Sequence, residues 1–251
     1  MILRFATEPY TNDPSQLNNR FIHLTNYSLN RLSDNFVHSE DPDSAEGNKW
    51  TLSCLWKYLG EQGVDTATIW HKVTDIVIKT LLCGHAHLLK KSREQEASHY
   101  SGYRLLGCDI FLDSLHQPHL LEVNTMPNLN TEHAVDSHVK DALVAEMFNI
   151  VGFHFPLNCD TKYSASPEFS VYEVHDWRLY SKDKDLVDLT KQAAFTGLAR
   201  EEYLGSIIKN LSPMDVRLLV HAEEELSQTR GFQRIWPSSS SHHYHMYSLN
   251  M

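Results

Sequence analysis

The chain has 251 residues, 41% of them hydrophobic, enough for a real core in one large domain or two small ones. Its formal net charge of −10 argues against a nucleic-acid partner. Cys54, Cys83, Cys108 and Cys159 form no CxxC pair, which points to a reducing compartment and away from a disulfide framework or a thiolate zinc site.

No apolar run reaches the ~18 residues of a membrane span, and Arg4 and Glu8 in "MILRFATEPY" come too early for a secretory signal. Two apolar clusters follow, "ILRFA" and "RFIHLTNYSL", read as a strand, a loop, and a second strand or irregular segment. Residues 33–48 are polar and acidic with Pro and Gly, the composition of a mobile surface loop. From Lys49 to Leu59 the apolar residues Leu52, Leu55, Trp56 and Leu59 fall at helical spacing. Asp65 is the expected N-cap of a second helix with Ile69, Val73, Ile76, Val77 and Leu81 as its stripe. "LLKKSREQEASHYSG" reads as a charged loop in which Lys90, Lys91 and Arg93 are solvated, with contact to an acidic partner segment as the alternative. Beyond a strand pair at 107–124, a helix is expected from about Ser137 to Ile150, with Val139, Leu143, Met147 and Ile150 inward.

After "GFHFP" the texture changes. Residues 157–185 are polar and irregular, and helices are expected over 186–209 and 213–229. The second opens with Ser212 as N-cap, Pro213 at the first helical position and Asp215 in the first turn. The tail "PSSSSHHYHMYSLN" should fray. The histidine groups "GHAH" (His85, His87) and "HHYH" (His242, His243, His245) lack an HExxH arrangement and a partnering carboxylate, and read as solvated surface. The boundary is placed near Phe155.

The segment "CDIFLDSLHQPHLLEVN" carries the chemistry. A hairpin centred between Leu115 and His116 sets Asp109 opposite Glu122, Phe111 opposite Leu120, and Gly107 opposite Asn124. One face is then Cys108, Ile110, Leu112, Leu121 and Val123, and the other crowds Asp109, Glu122 and Asn124 at one end. Two opposed carboxylates are tolerable if one takes a proton or a divalent cation sits between them. Hard oxygen ligands, too few for a calcium cage, suit a magnesium ion that keeps waters and shares phosphate oxygens. The bland alternative is a hairpin end whose acids merely solvate. Neither GxxxxGK[ST] nor GxGxxG is present. A nucleotide here needs another fold, and an ATP-grasp arrangement, with the nucleotide between two sheets, fits.

"LRFATEPY", "FIHLTNYSLN", "GNKWTLSCLWKYL" and "LLGCDIFLDSLHQPHLLEVNTMPNL", in this order, resemble the tubulin–tyrosine ligase-like family, most of all its polyglutamylase branch. "VDSHVKDALVAEMFNIVGF" and the distal "SPMDVRLLVHAEEELSQTRGFQRIWP" continue the resemblance, the latter looking like a helical extension after the catalytic domain. It implies the α/β C-terminal half of an ATP-grasp domain over residues 1–155, a helical extension over 156–237 and a flexible tail over 238–251. It implies ATP and magnesium, with Asp109, Glu122 and Asn124 as metal and ATP-phosphate ligands. Thr25 and Asn26 of "HLTN" match residues lining the nucleotide and reaction centre; the bland reading has them capping a turn. Arg4 matches an arginine that contacts a carboxylate-bearing substrate, and Lys140 a recurrent lysine of no assigned role.

The implied reaction joins free L-glutamate to γ-carboxylates of tubulin tails through an acylphosphate. Its setting is cytoplasmic and cytoskeletal, with ciliary or centriolar microtubules among the candidates. Cys108, His119 and Met126 depart from the family pattern but remove no metal ligand. The family's upstream half, with its phosphate-holding lysines, has no match here, so a truncated chain that is inactive alone is expected. Two alternatives stay open: a non-catalytic tubulin-binding module, and a related ligase that adds glycine or tyrosine.

Overall fold

The computed structural model describes residues 1–94, 103–151 and 211–244, with the single positions 186, 190, 194 and 247. The irregular stretch 157–185, the boundary at Phe155 and most of the helix expected over 186–209 lie outside these residues. The fold mixes helices with two small antiparallel sheets of two strands each. The chain divides into two compact units, Met1–Ile78 with Leu105–Ala145, and Lys79–Arg104 with Glu146–Met251.

In the first unit, strand β1 (Ile2–Arg4) pairs antiparallel with β2 (Lys49–Thr51), Ile2 opposite Thr51 and Arg4 opposite Lys49. The helix expected from Lys49 therefore begins three residues later, as α3 (Leu52–Glu61), capped by the Thr51 side chain on the Cys54 N–H. Gly63, at φ +76°, ends it in a left-handed conformation that side-chain-bearing residues resist. The second apolar cluster is not a strand. It folds as two short helices, α1 (Arg20–His23) and α2 (Tyr27–Asn30). The Asn19 side chain, accepting from the Phe21 N–H, starts the first. The acidic stretch 33–48 is closed at its base: Asn48 bonds Val37 through both its side chain and its N–H, and Ser39 Oγ donates to the Glu46 carbonyl.

Helix α4 (Thr66–Glu94) is entered as expected, with Asp65 accepting from the Thr68 N–H at 3.1 Å. It runs on into the stretch expected to be a charged loop, as far as Glu94, because residues 85–94 contain good helix formers and no Gly or Pro. Among its described side chains Ile69, Val73, Ile78 and Leu82 are buried and Leu81 is exposed, so the apolar stripe drifts one position from the one expected. Leu55, Leu59, Ile69 and Val73 form the core of this unit, with Leu3, Trp56, Trp70, Ile110 and Leu112 packed against them. Burying each core side chain is worth about 1.5–3 kcal/mol.

Strands β3 (Gly107–Leu112) and β4 (Pro118–Asn124) form the expected hairpin. Gly107 faces Asn124, Cys108 faces Val123, and Asp109 faces Glu122. Beyond Asp109 the register shifts by one: Ile110 faces Leu120, Phe111 faces His119, and Leu112 faces Pro118. Leu121 is thus a bulge residue, 68% exposed, and not the inward partner the uninterrupted ladder requires. Asp113 builds the turn, its carboxylate accepting from the N–H groups of Leu115 and Gln117 and lying 3.0 Å from His119 Nε2. These bonds, the His119 one foremost, hold the Asp113 carboxyl below the usual carboxylate range. Helix α5 (Ala134–Val151) follows.

The second unit contains α6 (Pro213–Ser227), with the capping box complete: Ser212 Oγ accepts from the Asp215 N–H and Asp215 accepts from the Ser212 N–H. The Glu146 carboxylate accepts from the consecutive N–H groups of Arg230, Gly231 and Phe232, which lowers its pKa, Gly231 contributing most. Within the tail, Ser238 and Ser241 exchange hydrogen bonds and Tyr244 is buried. His85 stacks edge-on against Trp236. Among the described residues no three His, Cys, Asp or Glu gather as a metal site, and no helix is long and apolar enough to cross a membrane.

Candidate functional site

The acids sit on the unshifted end of the β3–β4 ladder. Asp109 and Glu122 are directly opposed, and Asn124 Nδ2 donates to Glu122 Oε1 at 3.1 Å. Arg4, at the end of β1, donates from Nη2 to Asp109 Oδ2 at 3.1 Å. Arg4 is thereby joined, across 105 positions, to the strand pair that carries Asp109, Glu122 and Asn124. Arg4 and Asp109 remain 39% and 35% exposed, open to solvent and to a ligand. The opposed acids are balanced in part by a guanidinium, a partner that neither a proton nor a metal exhausts. This also places Arg4 on a carboxylate of its own chain, where the resemblance implied one of the substrate.

The donor set fits a magnesium ion. Two carboxylates and an amide carbonyl are all-oxygen donors, and their number leaves coordination places for water and phosphate. The neighbouring Cys108 thiol is pushed above its ordinary value by burial and then by the Asp109 charge, so it stays a neutral filler.

Thr25 and Asn26 join α1 to α2. Thr25 is half-buried and Asn26 exposed. Asn26 starts α2 in extended backbone, but its side chain makes no capping bond; only its carbonyl accepts, from Leu29 and Asn30. Among the described residues no hydrogen bond or ion pair joins Thr25 or Asn26 to Arg4, Asp109, Glu122 or Asn124. The nearest tie is at the far end of α2, where buried Asn30 donates to the Phe5 carbonyl at 2.9 Å, one residue beyond Arg4. One helical turn separates Asn26 from that anchor, about 6 Å.

Sequence reasoning missed Lys49 and Asp136. Lys49 Nζ lies 2.6 Å from Asp136 Oδ2, the two side chains 10% and 6% exposed, and 4.9 Å from the centre of the Tyr27 ring. Lys140 reaches Asp136 Oδ1 at 3.2 Å and donates to the Asn130 carbonyl. The i,i+4 spacing of Asp136 and Lys140 was a readable signal; nothing marked Lys49. His133 packs edge-on against Tyr27 and His38, and its pKa is lowered by burial first, then by Lys49 and His38. Lys90 and Lys91 are exposed on α4.

The family described as the tubulin-tyrosine ligase family matches residues 1–163, a span that holds every residue of this site. The chain belongs to the tubulin-tyrosine ligase family. Tubulin monoglutamylase TTLL4 of Mus musculus is 32% identical over 254 residues, covering 97% of this chain and 21% of the relative. Tubulin polyglutamylase TTLL5 of Homo sapiens is 31% identical over 248 residues, 96% of this chain and 19% of its own length. Tubulin polyglutamylase ttll-4 of Caenorhabditis elegans is 31% identical over 250 residues, 98% of this chain and 39% of the relative. The chain thus spans about a fifth of the length of the two mammalian relatives.

Proposed function

We propose that this member of the tubulin-tyrosine ligase family serves ATP-dependent ligation of glutamate to γ-carboxylates in tubulin tails, at cytoskeletal microtubules. Residues 1–155 would be the C-terminal half of an ATP-grasp domain and 156–237 a helical extension. The observation that carries the reading is the opposition of Asp109 and Glu122, with Asn124 on Glu122 and Arg4 on Asp109. The similarity to glutamylases along the whole chain supports glutamate as the amino acid and tubulin as the acceptor.

In this reading the γ-phosphoryl group of ATP passes to an acceptor carboxylate, giving ADP and an acylphosphate. The amine of glutamate attacks the acyl carbon, inorganic phosphate leaves, and an amide forms with loss of a proton. A bound magnesium ion would supply the positive charge that offsets charge developing on the phosphoryl oxygens. Asp109, Glu122 and Asn124 would hold it, the Asn124 N–H fixing the Glu122 carboxylate. A guanidinium has five N–H donors. Arg4 spends one on Asp109, and the others would fork onto a substrate carboxylate. Thr25 and Asn26 would line the nucleotide from the start of α2.

The test incubates the full-length parent with microtubules, magnesium, ATP and glutamate, glycine or tyrosine in turn, and reads the mass added to tubulin tails. Glutamate increments are expected. Glycine or tyrosine increments would overturn the amino-acid assignment. No increment with any of the three, alongside retained microtubule binding, would favour a non-catalytic module.

A further inference from the structure

Arg4 and Lys49 stand directly opposite each other in the β1–β2 ladder. Opposed residues leave a sheet on the same face, and like charges so placed repel. Each is met by an acid from elsewhere in the unit, Arg4 by Asp109 at 3.1 Å and Lys49 by Asp136 at 2.6 Å. The second pair is interior. Asp136 also receives Lys140, and Lys140 in turn holds the Asn130 carbonyl. Asn130 lies six residues beyond Asn124, at the far end of the segment that leaves the site. A single buried carboxylate therefore ties down the strand neighbour of Arg4 and the stretch that leads away from Asn124.

We propose that Asp136 is a positioning residue of the candidate site: through Lys49 it sets β2, and with it Arg4 against Asp109, while through Lys140 it anchors the segment following Asn124. Among the described residues, Lys49 without Asp136 keeps only the Tyr27 ring face as a side-chain partner in a site that water barely reaches, a weak substitute for a carboxylate. The ammonium is then driven toward solvent, and Arg4 opposite it is displaced. The functional weight of this inference builds on the ligase reading, but its geometry stands apart from it. The test therefore reads Arg4 directly and needs no activity.

The guanidinium N–H signals of Arg4 are followed by ¹H–¹⁵N NMR in the 251-residue chain, with Asp109→Asn marking the unpaired state. Asp136→Asn removes the carboxylate charge at nearly constant shape and leaves Lys49 in place; Asp136→Ala is the second version. The Arg4 signals are expected to move toward their Asp109→Asn positions, and their solvent exchange to rise toward the rate of that variant, in whichever Asp136 variant is folded. Lys49→Met/Asp136→Leu removes both interior charges, a change that folds tolerate better than loss of one partner; with no ammonium left to expel, it should return the Arg4 signals toward the parent. Leu82→Ala, a core change in the second unit, should leave them in place. Unmoved Arg4 signals in a folded Asp136 variant, or displaced ones in the double variant, would overturn the proposal. So would an equal movement in Leu82→Ala, which would make the effect general loosening.

Discussion

At the scale of single residues, the site is a set of charges whose neighbours decide their behaviour. Glu122→Gln keeps the Oε1 acceptor that Asn124 uses and removes one charge opposite Asp109. Because Arg4 already balances Asp109, the variant should melt within about 0.5 kcal/mol of the parent in the absence of metal. Its magnesium affinity, read by calorimetry, should fall by at least about tenfold, given that even outer-shell changes cost that much. Parental affinity would mean that the acids only solvate. His133 reports on the interior pair. Its folded-state pKa is depressed below the ordinary 6.5, by burial and then by Lys49 and His38. The unfolded chain therefore takes up that proton more readily. This contribution to stability is complete above pH 6.5 and is lost on acidification toward the folded value. Lys49→Met removes one depressing charge, so the His133 titration followed by NMR should move upward; a downward movement would contradict the contact geometry.

At the scale of elements, what could be read in advance depended on pattern length. The register at Asp109–Glu122 was legible because apolar and polar residues alternate cleanly there. The shift beyond it was not, because "HLLEV" offers two adjacent leucines and either satisfies Ile110 across the ladder. Strand β2 was hidden by its three residues, too few for alternation to show against the helical spacing that follows. The Arg4–Asp109 and Lys49–Asp136 pairs were out of reach, since partners 105 and 87 positions apart leave no periodic trace. Gly47 explains why β2 can enter where it does. It sits at φ +75°, and a Cβ there would meet Ser39 Oγ at 2.5 Å and the Val37 carbonyl at 2.8 Å. Gly47→Ala should therefore destabilise the chain by about 1–3 kcal/mol, the usual cost of a residue forced into such backbone, seen as a lower denaturant midpoint. A neutral result would show that the loop relaxes around the added methyl.

At the scale of the whole molecule, the two described sheets have two strands each, while a nucleotide clasped between sheets needs broader walls. The 251-residue chain alone is accordingly expected to transfer no glutamate to microtubules in an assay with ATP and magnesium. Incorporation without any added partner would show that these residues suffice. The bulge at Leu121 divides the β3–β4 hairpin into two stretches of different parity. The inner stretch is held from outside the hairpin by Arg4 on Asp109. The outer stretch packs Ile110 and Leu112 on the core and ends in the Asp113 turn, where Lys72 also reaches Gln117, with an exposed tip at Leu115. A change of length confined to that tip leaves the packed pairs, and the acids beyond the bulge, in place. The tip is thus a place where the gene can lengthen or shorten by a codon or two, or accept a grafted epitope, with the spacing of Asp109 and Glu122 kept; the same graft between Glu122 and Asn124 would break it.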